Sequence, residues 1–371
     1  MDNNQALKRL VSLDALRGFD MFWIMGGEGI FSGLAIITGW PVLKWWAGQL
    51  THVPWHGFHF YDMIFPLFLF IAGISFPYSY IKRIANGKSR SSIIWHVIYR
   101  GLLLVFIGIL YNNGLSFNFS ELRYGSVLGH IGVAWMLSAI IFMNTRLTGR
   151  IIWCFGVLIG YWLLLLLFPA PDLGSSDPFS LEGNFAGYID RLITPGKLYL
   201  GVSEPSGFST VLPSIGTALL GMFTGEYILS KRDAGKPMKK VLYMFLASVI
   251  LMITGKIWDI FFPINKMLWS SSYVCWAGGL SLLLFVIFYL IIDVWGYRKW
   301  AFFFVVIGMN PITIYLATKI ISFSHATDFF FGGFTRIMSE NWTELINGLG
   351  LTTVGWFFLY FLYKKKIFLK I

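Results

Sequence analysis

The sequence predicts an all-α, polytopic membrane protein of about ten transmembrane helices with both termini in the cytoplasm. Three observations carry that expectation. Of the 371 residues, 56% are hydrophobic and 13% charged, about half the charged share usual in a soluble domain. Aromatic residues reach 19%, with 36 Phe and 16 Trp, and the mean hydropathy is +0.67. A water-soluble globule of this size could not hide so much apolar surface, and disordered chains are poor in aromatics. The third observation is that Lys and Arg recur on every second connector.

A span needs about 20 mostly apolar residues, and ten runs qualify: 14–38, 60–81, 92–112, 126–143, 151–168, 208–230, 241–260, 272–295, 301–321 and 346–363. The first is preceded by Lys8 and Arg9 and carries Arg17. The second opens at Asp62 and Phe65-Pro66 and closes on Lys82 and Arg83; Lys88 and Arg90 precede the third. Arg146 and Arg150 separate the fourth from the fifth. The sixth begins around Leu212-Pro213, and Lys231, Arg232, Lys236, Lys239 and Lys240 divide it from the seventh. Arg298 and Lys299 lie between the eighth and the ninth, which Asn310-Pro311 interrupts. The tenth ends at Lys364, Lys365, Lys366 and Lys370. Twenty of the 29 Lys and Arg therefore fall on one side, and positive charge favours the cytoplasmic side. The net charge of +11 reads as a topology signal, and nucleic-acid binding is set aside.

The opposite side carries the connectors 39–59, 113–125, 169–207, 261–271 and 322–345, the third nearly 40 residues long. Connectors of that length are usually functional or disordered. No internal repeat or heptad array is visible, so residues 1–371 read as a single membrane domain. Cys154 and Cys275 sit in apolar runs and read as core packing. The polar start MDNNQALKRL, followed by an apolar stretch carrying Asp14, Arg17 and Asp20, gives no sign of a cleavable signal peptide.

Ionisable residues inside spans are costly and mark functional sites by default. Asp14 and Arg17 share a helical face and could pair at the cytoplasmic end. Glu28 lies roughly 21 Å further up the same helix, between glycines that let other groups approach. His52, His56 and His59 have metal-like spacing, but Pro54 and Gly57 break the helix that would align them, so no metal is expected. One catalytic imidazole at the mouth of the second span, with the other two in the interfacial aromatic belt, is the better reading. Asp62 could cap that span or orient His52. Asn265 and Lys266 could contact a polar substrate or anchor the short connector at the interface, and Asn310 could be structural glue at its proline break.

These segments in this order resemble the heparan-α-glucosaminide N-acetyltransferase family, within the transmembrane acyltransferases, as a bacterial-type member. The matching stretches are Ser12-Leu13-Asp14 with Arg17-Gly18, His52 with Pro54-Trp55 and Gly57, and Asp62 with Phe65-Pro66. Ala186 to Leu192, Pro263 to Trp269 with Ser272-Tyr273-Val274, Gly308-Met309-Asn310 and Tyr363 to Phe368 match as well. Three positions depart from the family pattern: Glu28 stands where an asparagine is frequent, Glu204-Pro205-Ser206-Gly207 replaces Asp-Pro-Glu-Gly, and Gly129-His130 replaces Gln-Arg. The animal enzymes' extra N-terminal luminal region and additional span are expected to be lacking. The resemblance implies acetyl transfer from cytoplasmic acetyl-CoA to the amine of a terminal glucosamine or related saccharide. The site would open to the outer, periplasmic face of an inner (plasma) membrane.

On that reading the catalytic candidates are His52, Glu28 and Asp62. The substrate-binding candidates are Trp55, Glu204, Asn265, Lys266, Trp269 and Asn310. Arg17, Asp14 and His130 are the candidates on the acetyl-CoA side, with Arg83, Arg146 and Lys231 as further basic residues to attract its phosphates. His52 could act as base or as nucleophile, and Glu28 could stabilise the imidazolium or hold the substrate ammonium. The expected partners are a saccharide acceptor, acetyl-CoA and the lipid bilayer, with homodimerisation left open. The competing expectations are a transporter for a sugar or acidic solute, and a scaffold for envelope assembly.

Overall fold

A computed structural model describes residues 9–369, so Lys8 and Lys370 of the topology count lie outside the described residues. The described residues form fifteen α-helices: α1 (Val11–Phe22), α2 (Glu28–Thr38), α3 (Pro41–Gln49), α4 (Ile64–Ala85), α5 (Arg90–Tyr111), α6 (Val127–Asn144), α7 (Leu147–Leu167), α8 (Phe185–Ile193), α9 (Val211–Leu229), α10 (Pro237–Asp259), α11 (Ser271–Phe288), α12 (Phe302–Gly308), α13 (Pro311–Ile320), α14 (Phe323–Ile337) and α15 (Thr343–Lys364). Among the described residues, β-structure is limited to one isolated antiparallel bridge between Arg123 and Gly196.

Eight of the described helical stretches are long and apolar enough to cross a membrane, and α12 with α13 forms a ninth that bends by 70°. That bend falls at Asn310-Pro311, where the proline cannot continue the hydrogen-bond ladder. The remaining predicted span is α9, 19 residues with Glu226 as its single charge. The first span is α1 and α2 joined through a π-helical segment, Trp23–Gly27, where Gly26 takes φ 130°, a conformation that glycine alone adopts readily. Three of the connectors between spans carry helices of their own: α3, α8 and α14. α8 and α14 are amphipathic, and helical periodicity in such short polar-flanked pieces is drowned by the spans around them.

Close helix crossings hold the bundle. α4 packs on α9 through Gly73, Gly221 and Gly225: a Cβ at any of them would run into the backbone carbonyl of Ala218, Phe70 or Ile74 respectively. Small residues four apart are how membrane helices reach such contact. α1 crosses α12 in the same way at Gly18 and Gly308. These two crossings fix the elements that carry the candidate site, α1 and α4. Cys154 and Cys275 are buried and unbonded to each other.

Candidate active site

The chain enters α4 through a 3-10 turn, Phe60–Met63, and the turn puts Asp62 at its centre. One carboxylate oxygen, Oδ2, accepts from the backbone N–H of His59 at 3.0 Å. The other, Oδ1, lies 2.7 Å from His52 Nδ1 and 3.3 Å from Lys266 Nζ. The Asp62 carbonyl accepts from the Tyr273 hydroxyl at 2.6 Å. Asp62 thus caps the turn and meets His52 at once, and its side chain is fully buried while that of His52 is 43% exposed. A buried carboxylate needs partners of this kind.

Lys266 completes the group, with Nζ 3.0 Å from His52 Nδ1 and 3.3 Å from Nε2. Its connector is tightly folded: Asp259 Oδ1 accepts from Ile264 N at 2.7 Å, and Asn265 Oδ1 accepts from Leu268 N at 2.9 Å. Burial lowers the Lys266 ammonium below its ordinary value, and Asp62 works against that. The lysine and aspartate charges offset each other beside the imidazole. With Nδ1 donating to Asp62, Nε2 presents a lone pair. Such a nitrogen can accept a proton or attack a carbonyl carbon, and the adjacent ammonium can stabilise an oxyanion.

His52 and Lys266 border a cavity of about 310 Å³. Its walls are largely apolar, with Ile24, Ile64, Phe65, Phe68, Leu128 and Ile131. Tyr61, Arg123, Trp269 and Asp20 also face it. The Tyr61 ring lies 5.0 Å from that of His52. Three of these, Tyr61, Arg123 and Asp20, carry no role in the sequence reading. Tyr61 follows directly from its neighbour Asp62, and Asp20 is visible as an acid in an apolar run. Arg123 gives a weaker signal, as one of the few basic residues off the lysine-rich side.

The other candidates are placed as follows. Glu204 is fully buried and binds Arg123 through both oxygens, at 2.5 and 2.8 Å, and also accepts from Tyr199 N and Ser206 N. A carboxylate with its lone pairs filled in this way braces Arg123, which lines the cavity. Asn265 is buried in its own turn and reaches His56 at 3.2 Å. Trp55 donates to the Phe179 carbonyl and so tethers the long connector. Asn310 makes its contacts at the proline break. Its side chain donates to Ile367 O and accepts from Leu369 N, tying the break in the ninth span to the C-terminal segment. Trp269 faces the cavity, and its Nε1 donates to Thr217. His130 is buried behind it, 4.8 Å from the Trp269 ring, with neither ring nitrogen hydrogen-bonded among the described residues. Glu28 is exposed, faces a second cavity of about 470 Å³ with Lys319, Ser322 and Ser324, and lies beside the Tyr61 hydroxyl. The carboxylate on His52 is therefore Asp62.

At the lysine- and arginine-rich end, Arg17 contacts Asp14 at 3.3 Å, Ser75 at 3.3 Å and the Gly308 carbonyl at 3.5 Å. Asp14 also binds Arg9. Arg83 meets His96 at 2.7 Å, and the Arg100 guanidinium covers the Trp135 ring. Cationic groups from α1, α4 and α5 thus gather at this end, and Asp14 is the carboxylate that pairs with Arg9 and Arg17 among them. Arg146 and Lys231 stay exposed on their connectors.

No family profile matches the chain. It is 26% identical over 422 aligned positions to heparan-alpha-glucosaminide N-acetyltransferase of Mus musculus, and 26% over 415 to that of Homo sapiens. Both alignments take in 98% of this chain, which spans about three fifths (61% and 60%) of the length of these curated relatives. They are distant relatives, and the similarity extends over nearly the whole chain.

Proposed function

We propose that this protein is a membrane-embedded acyltransferase that moves acetyl from acetyl-CoA to the amine of a terminal glucosamine or a related saccharide. The observation that carries the reading is the His52–Asp62–Lys266 group bordering an apolar cavity, in a chain distantly related along its length to two N-acetyltransferases.

The chemistry follows from the positions. The acceptor nitrogen, as a neutral amine, attacks the thioester carbonyl carbon. The C=O pair moves onto oxygen, and the oxyanion is met by the Lys266 ammonium. His52 Nε2 takes the proton from nitrogen, with Asp62 holding the ring and balancing the imidazolium. The carbon–sulfur bond then breaks, and the imidazolium returns its proton to the thiolate, leaving an amide and free CoA. A covalent route would put the acetyl group on the same Nε2 first; rapid quenching followed by mass analysis separates the two by the presence or absence of acetyl-His52.

Donor and acceptor are assigned to opposite ends. The cationic groups of Arg17, Arg83 and Arg100 suit the phosphates of CoA. Their end is the cytoplasmic one by the distribution of positive charge, and His52 then opens to the outer face. Glu28, in its more polar cavity, suits the acceptor's ammonium.

Binding stabilises the native state by mass action, so acetyl-CoA and CoA should each raise the thermal midpoint of the purified protein, whereas adenosine should not. No shift with either acetyl-CoA or CoA would contradict the proposal.

A further inference from the structure

Asp20 is the unexplained group of the cavity. It sits on α1, its residue is 1% exposed, and neither carboxyl oxygen has a hydrogen-bond partner among the described residues. It nevertheless lines the cavity that His52 borders. The other acidic groups nearby are accounted for, Asp62 by His52, His59 and Lys266, and Glu204 by Arg123. Burying a carboxyl without a partner costs stability, and such a group is retained where a ligand supplies the missing bond.

The walls around it narrow the ligand's chemistry. Ile24, Ile64, Phe65, Phe68 and Ile131 offer no partner to the hydroxyls of a sugar ring, and each hydroxyl buried there would lose its hydrogen bonds to water. An extended arm of methylene and methyl groups with an occasional amide N–H fits these apolar walls with the Asp20 carboxyl set among them. Asp20 also stands three residues from Arg17, on the same face of α1 and between the cationic end and the reacting end.

We propose that Asp20 is a binding residue for the acyl donor, accepting a hydrogen bond from an amide N–H of its pantetheine arm and so setting how far the thioester reaches towards His52. This assignment rests on the acyltransferase reading above and adds to it which residue recognises the arm.

The test is steady-state kinetics of full-length protein in nanodiscs, with Asp20→Ala and Asp20→Asn, varying acetyl-CoA and a glucosamine-ended oligosaccharide separately. Loss of one hydrogen bond to a buried carboxyl predicts that Asp20→Ala raises the KM for acetyl-CoA about tenfold. The acceptor KM should stay within about twofold. Asp20→Asn, whose amide oxygen still accepts, should recover most of the loss. Because the native carboxyl has no protein partner, neither variant should lower the thermal midpoint of the unliganded protein. An unchanged acetyl-CoA KM in Asp20→Ala overturns the assignment. So does a rise confined to the acceptor KM, which would make Asp20 the anchor of the acceptor's ammonium, or a lowered midpoint in both variants, which would make the carboxyl a structural group. Wild-type protein that neither binds CoA nor transfers acetyl overturns the acyltransferase reading itself, a result distinct from an active wild type with an indifferent Asp20.

Discussion

Asp62 holds the site at the scale of single residues, because one buried carboxylate serves a backbone N–H, an imidazole and an ammonium together. Asp62→Asn keeps the size but replaces one acceptor oxygen by a donor, so the ring loses its fixed tautomer and Lys266 its counter-charge. The expected outcome is a fall in kcat of about a hundredfold or more, with KM for acetyl-CoA little changed, read from initial rates at saturating donor. Lys266→Met removes the ammonium at 3.0 Å from the imidazole while keeping most of the side-chain volume. If that ammonium meets the oxyanion, kcat drops by about 10²–10³-fold. A loss confined to KM would instead assign Lys266 to binding.

At the scale of elements, the crossing of α1 and α12 decides whether Asp14, Arg17 and Asp20 are held in register. Gly308→Ala forces a methyl group into the Asp14 backbone carbonyl, which should cost about 1–3 kcal/mol and appear as a lowered thermal midpoint with unaltered helix content. The connector carrying α8 adds a pH dependence. Asp190 is buried, with Oδ1 accepting from Phe208 N and Oδ2 unpartnered among the described residues. Burial pushes it up to about 7. The folded protein thus keeps a proton that the unfolded chain releases at lower pH, so this contribution to stability is complete below the ordinary carboxylate range and is lost as pH rises through about 7. Thermal melts of Asp190→Asn between pH 5 and 8 should show a smaller decline than those of the wild type; an equal decline would assign the dependence to other groups.

For the whole molecule, charge distribution and topology make one statement that labelling can check. Cys154 and Cys275 are buried, so an impermeant maleimide should meet little background. In intact spheroplasts Phe119→Cys, exposed near the His52 end, should be labelled directly, and Lys88→Cys, exposed at the basic end, only after permeabilisation. The reverse pattern would invert the sidedness of donor and acceptor. Span number and order were legible in the sequence because a run of apolar residues and a flanking Lys or Arg are local signals. His52 and Asp62 were legible for a related reason, since ten residues and one turn bring them together. What local pattern could not show was pairing over distance. Nothing in the sequence around Glu204 points to Arg123, 81 residues earlier, yet the two pair through both carboxylate oxygens. Asn310 reads in the sequence as a polar residue at a proline break with no visible partner, yet the C-terminal segment folds back onto it. Asp20 is the converse: only the packed structure shows that nothing meets it among the described residues.

His52 is the residue proposed to perform acetyl transfer. That role is tested most directly by following labelled acetyl from acetyl-CoA to a glucosamine-ended oligosaccharide with purified wild-type protein and with His52→Ala. The wild type should transfer acetyl and the variant should lose about 10²–10⁴-fold of the rate, with CoA still raising the variant's thermal midpoint. Full transfer by His52→Ala would contradict that role.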